Sequence, residues 1–144
     1  MTRTTLLDTV TPGSGGPPPA GGSPMRLSVP AIYYDALHDS SVWAPLGLEG
    51  RTVSDRARRV VELWASVRGG AWRARHDVPT DRPDTGAPPR MTRVMAWFPD
   101  SVRDALRAAC HTIDPAPTSM AEAFRAILGG YLSLSPKQAA RLRP

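Results

Sequence analysis

The chain has 144 residues, 41% of them hydrophobic, which allows one ordinary domain or two very small ones. Its single cysteine, Cys110, excludes an internal disulfide and any multi-cysteine metal site, and a reducing compartment is the default expectation. A net charge of +5 and a pI of about 10.3 favour polyanionic partners such as nucleic acid.

No run of about 18 apolar residues occurs, so no membrane span is expected. Met1 to Val10 is too short and too polar for a secretory signal, and a cytoplasmic location follows. The 16 prolines and 12 glycines cluster in two places and so divide the chain. Residues 11–24 read TPGSGGPPPAGGSP, which supports neither helix nor strand; residues 1–24 are therefore expected to form a flexible, disordered arm. Residues 69–90 carry four prolines and the Gly69-Gly70 pair and read as a linker. Two segments of similar length remain, 25–68 and 91–132, followed by a basic tail over 133–144.

The two segments repeat a pattern. Aligning Pro30 with Pro99 places Asp35-Ala36-Leu37 on Asp104-Ala105-Leu106 without a gap. Before each proline the period is two. Met25, Leu27 and Val29 alternate with Pro24, Arg26 and Ser28; Val94, Ala96 and Phe98 alternate with Arg93, Met95 and Trp97. Such alternation predicts a half-buried strand, which the proline ends because it lacks a donor.

After each proline the period becomes helical. In the first copy Tyr33, Ala36 and Leu37 form a short stripe, and a long loop runs from Asp39 through Pro45, Gly47 and Gly50 to Arg51. Thr52 or Ser54 then caps a helix with Val53, Ala57, Val60, Val61, Trp64 and Val67 on one side; Arg56, Arg58, Arg59 and Glu62 fall largely elsewhere. In the second copy Val102, Ala105, Leu106, Ala109 and Ile113 form the first stripe, which ends near Asp114-Pro115. Thr118 or Ser119 caps the next helix, with Met120, Ala123, Phe124, Ile127, Leu128 and Tyr131 as its apolar face. Gly129-Gly130 is expected to weaken its last turn.

Catalytic signatures are missing. His38, His76 and His111 have no metal-ligand spacing with acids or with Cys110, and no phosphate-cradling glycine loop or nucleophile elbow occurs. The chain reads as a non-enzyme without cofactor or metal.

Strand, helix, helix, repeated, resembles the ribbon-helix-helix (Arc/MetJ/CopG) superfamily of DNA-binding proteins. The closest pieces are Gly50-Arg51-Thr52-Val53-Ser54 leading into Asp55–Glu62, similar to that family's entry into its second helix, and Phe98-Pro99 at the end of a strand. Two copies in one chain resemble the tandem, TraY-like members. The resemblance implies a mainly α fold with a short antiparallel ribbon, built as a tandem pseudo-dimer. It further implies sequence-specific binding of double-stranded DNA by a ribbon in the major groove, as a transcriptional repressor or plasmid-maintenance regulator at the nucleoid.

On that resemblance Arg26, Ser28, Arg93, Met95 and Trp97 face the bases. Arg26 and Arg93 suit guanine O6 and N7, whereas Met95 and Trp97 suit thymine methyls or a protein contact. Phosphates would fall to Arg51, Thr52, Val53 and Ser54, and to Thr118, Ser119 and Met120, at the two second-helix N-termini. Thr52 and Thr118 are equally plausible caps with or without DNA. Self-association along DNA is a further implication. Two other roles occur with this fold: an antitoxin-type module, whose partner-binding segment would be Met1–Val10 or the tail after Pro136, and an accessory protein of conjugative transfer.

Overall fold

The computed structural model describes residues 21–77 and 84–143, so most of the expected arm and residues 78–83 of the linker lie outside the described residues. The elements are β1 (Gly22–Pro30), α1 (Ala31–His38), α2 (Ser40–Trp43), a 3-10 turn (Ala44–Leu46), α3 (Val53–Ala65), β2 (Met91–Pro99), α4 (Asp100–Thr112), α5 (Met120–Leu132) and α6 (Pro136–Ala140). About half of the described residues are helical, and the strands form a two-stranded antiparallel sheet.

β1 and β2 pair over their whole length, from Gly22 opposite Pro99 to Pro30 opposite Met91. The ladder is extended at both ends, by Asp100 N donating to Gly21 O (2.6 Å) and Ala31 N to Arg90 O (2.8 Å). The proline closing each strand has a fixed φ and passes the chain directly into a helix. One face of the ribbon is buried: Leu27 and Val29 on β1, and Val94, Ala96 and Phe98 on β2. A two-stranded ribbon is marginal alone, and this one is stabilised by helices laid on that face. Each strand is covered by the later helix of the other half. α3 packs on β2 and α5 on β1, while α3 also meets α4 and α5. Phe98 and Phe124 lie tilted with ring centroids 6.4 Å apart at the centre of this core.

Thr52 caps α3 by accepting from Asp55 N, and Ser119 caps α5 by accepting from Glu122 N, so each expected pair of cap candidates resolves to one residue. The apolar stripes are buried or, at Ala36, Val53, Ala105 and Met120, half-buried; Val67, beyond the end of α3, is 52% exposed.

Several sequence expectations need correction. The stretch after Asp39 is not simply loop: it forms α2 and the 3-10 turn, and Trp43 is fully buried, stacked on Tyr131 at 4.9 Å. Arg56 does not lie on the exposed side of α3. It is buried, and its guanidinium donates to the carbonyls of Leu48, Leu37 and Glu49 and to the Ser40 hydroxyl, holding that stretch in place. Residues 71–77, expected within a linker, lie against α5. Trp72 is buried with Nε1 donating to Ile127 O, and Arg75 N donates to Ala126 O. Gly130 is needed there rather than merely tolerated, because a Cβ would lie 2.2 Å from Arg73 O. The tail after Ser133 is not a free segment either. Ser135 and Gln138 form a capping box for α6, Ala139 is buried, and α6 packs on the 3-10 turn.

Candidate nucleic-acid interface

The ribbon's second face points away from the core. By the pleat it carries Pro24, Arg26 and Ser28 from β1 and Arg93, Met95 and Trp97 from β2. Across the strands Arg26 is opposite Met95, Ser28 opposite Arg93, and Pro24 opposite Trp97. Arg26, Arg93 and Met95 are exposed, Met95 by 54%, and Ser28 is half-buried. No acidic partner for either arginine occurs among the described residues, so both guanidinium groups keep their donors available.

Trp97 is different. It is half-buried, and its indole lies over Gly22, where a Cβ would meet the ring at 2.2 Å. Its Nε1 is shielded from solvent and has no hydrogen-bond partner. The ring lies along the ribbon instead of standing out from it.

Both long helices of the second kind are tied to the ribbon's free edges. Trp97 N donates to Ser54 Oγ in the first turn of α3 at 2.8 Å, and Arg125 Nη1 on α5 donates to Ser28 O at 2.9 Å. Trp97 and Ser28 hold the same place relative to Pro99 and Pro30. These bonds fix the N-terminus of α3 beside β2 and hold α5 beside β1. After capping, the amides of Val53 and Ser54, and of Met120 and Ala121, are helix-start donors without an intrahelical acceptor. Arg51 and Thr52 are exposed beside the first group, and Thr118 and Ser119 beside the second.

The two helix starts differ electrostatically. Asp55 on α3 is countered by Arg58 at 3.5 Å, whereas Glu122 on α5 accepts from the Thr118 hydroxyl at 2.8 Å. That hydroxyl, helped by the Thr118 backbone and by Arg125 and His76, holds the Glu122 carboxyl below its ordinary range, so it stays ionised. Thr118 is thus engaged with Glu122, and α5 has no arginine where α3 has the exposed Arg51 just before its cap, so the start of α5 is less inviting to a phosphate than that of α3.

The sequence reading did not pick out Arg125. The repeat held a signal for it: Arg58 and Arg125 each stand six residues after their helix cap, Thr52 and Ser119. Away from the ribbon, residues 73–77 border two open depressions of about 280 and 460 Å³, lined by charged groups of both signs. Among the described residues no group of three or more potential metal ligands gathers, and no helix is long and apolar enough to cross a membrane.

No protein-family model matches this chain, and no curated protein or solved structure shows significant similarity to it.

Proposed function

We propose that the chain is a sequence-specific DNA-binding regulator, a tandem ribbon-helix-helix pseudo-dimer that inserts its ribbon into the major groove as a transcriptional repressor or plasmid-maintenance factor. The observation that carries this reading is the pairing of one strand from each half into a ribbon with Arg26, Ser28, Arg93 and Met95 turned outward. A two-stranded ribbon fits the width of the major groove, and arginine on its outer face matches the acceptor pair of guanine. In this reading Arg51 and the amides of Val53 and Ser54 hold a phosphate beside it, with Thr118, Ser119 and Met120 as the weaker counterpart. The tail, whose α6 is docked on the 3-10 turn, gives no support to a partner-wrapping role for that segment. The arm considered for such a role, Met1–Val10, lies outside the described residues.

Binding to duplex DNA should fall steeply with salt, as neutralised phosphates release counterions. Titrations at several salt concentrations test this: a log–log slope of about −3 or steeper supports the reading. A slope near zero would point to an apolar contact with some other partner.

A further inference from the structure

The ribbon is symmetric in backbone but not in what it displays. Aligning Pro30 with Pro99 makes Pro24, Arg26 and Ser28 equivalent to Arg93, Met95 and Trp97, and every one of these outward pairs differs. Arg26 and its equivalent, Met95, face each other at the midpoint of the register. Toward the Pro30–Met91 end the next outward pair is Ser28 with Arg93; toward the Gly22–Pro99 end it is Pro24 with Trp97.

These two flanks have different chemistry. Arg93 offers a planar fork of donors, and Ser28 a hydroxyl that can donate or accept. Pro24 has no polar side-chain atom, and the one donor of Trp97 is shielded where the ring lies over Gly22. Hydrogen bonding to base edges from side chains is therefore confined to the centre and one flank. The helix starts differ as well. Each start carries one carboxylate and one arginine at equivalent places, Asp55 and Arg58 on α3, Glu122 and Arg125 on α5; they differ just before the cap, where α3 has the exposed Arg51 and α5 has Thr118, bonded to Glu122.

We infer that the ribbon reads a non-palindromic duplex site. Guanines specified by Arg26 and Arg93 lie at the centre and under one flank, and the other flank is recognised only through apolar contact with thymine methyls and through groove shape. This rests on the DNA-binding reading and adds to it the class of site: one without two-fold symmetry, bound in a single orientation. A guanine contact of this kind changes affinity by about tenfold to a hundredfold. A base beneath Pro24 and Trp97 should discriminate far less.

The test is selection from a randomised duplex pool by the full chain, with Arg93→Ala in parallel. Arg93 is exposed and has no partner among the described residues, so its replacement leaves the fold intact. The expected result is a motif lacking two-fold symmetry, with guanines at the centre and on one flank only, and Arg93→Ala flattening the outer position of that flank alone. A duplex carrying the guanine flank on both sides should bind no more tightly than the selected site. A palindromic wild-type motif would overturn the asymmetry while leaving sequence reading in place. An asymmetric motif unchanged by Arg93→Ala would overturn the assignment of the reading flank. Recovery of no motif at all would overturn both this inference and the function beneath it.

Discussion

Arg56 is a buried cation whose four hydrogen bonds go to three carbonyls and a hydroxyl, spanning Leu37 to Glu49. Replacing it with Ala removes a donor from each of those carbonyls in a largely buried site, leaving Leu48 O with the Arg51 amide at 3.1 Å, and losses of this kind each cost about 1–3 kcal/mol. Arg56→Ala should therefore destabilise by about 3 kcal/mol or more in urea unfolding, and a change below about 1 kcal/mol would contradict the role. Lys has no planar fork and should restore little of the loss. At Gly130 two effects compete. Ala is preferred over Gly inside a helix by about 1 kcal/mol, but its Cβ would press on the Arg73 carbonyl, which is backbone and yields poorly. The clash should win, so Gly130→Ala is expected to lower the melting temperature and speed proteolysis at Arg73 and Arg75. A stabilised variant would show that residues 71–77 are only loosely held. Tyr131 supplies a pH test. Burial pushes its phenol up to about 12 from the ordinary 10. Because the folded value is the higher, its contribution is complete below pH 10 and is lost as pH rises from there toward 12. Urea midpoints should drop between pH 10 and 12, and Tyr131→Phe, despite losing a 3.1 Å bond to Val42 O, should flatten that part of the decline. An unchanged slope would assign the alkaline loss elsewhere.

The ribbon owes its placement to helices bonded along its edges. Ser54 accepts from Trp97 N, and with Thr52 left to cap α3, Ser54→Ala removes only the edge bond. Amide exchange at Trp97 should then rise by about tenfold, equivalent to roughly 1.4 kcal/mol of local protection, with the inner ladder unaffected. Equal exchange in both proteins would mean that the edge is held by packing alone. At this scale the strands were the most readable feature, because a ribbon with one dry face imposes strict alternation from Met25 to Val29 and from Val94 to Phe98. Proline marked where each strand ended. The helices α3, α4 and α5 were readable for the same reason, each having one face in a common core. What escaped reading depended on partners distant in sequence. Nothing near Arg56 indicates that carbonyls of an irregular stretch will enclose it, and Gly130 reads as a helix defect until Arg73 is seen against it. Trp72 was hidden among the glycines and prolines around it. α6, by contrast, carried a local signal that went unused: Ser135-Pro136-Lys137-Gln138 is a capping-box pattern with Pro at the first helical position.

In the molecule as a whole, both strands of the ribbon come from one chain, and each is covered by a helix of the opposite half. Folding should therefore need no second copy, and the melting temperature should stay constant over about a hundredfold range of protein concentration. A rising melting temperature would show that a partner chain completes the core. The same arrangement brings Arg26 and Arg93, far apart in sequence, onto one exposed face. The alternation had already assigned both to the outer side of their strands. Sequence alone did not reveal which residues face each other across the ribbon, or that Trp97 lies flat on Gly22, since register is a property of the pairing and not of either strand. The central claim is that this face reads DNA sequence, and the most direct measurement is a genomic DNA pull-down with the purified full chain, sequenced beside the Arg26→Ala/Arg93→Ala double variant. Discrete sites enriched by the wild type and lost in the variant are the predicted result. No enrichment over bulk DNA by the wild type at low salt would contradict it.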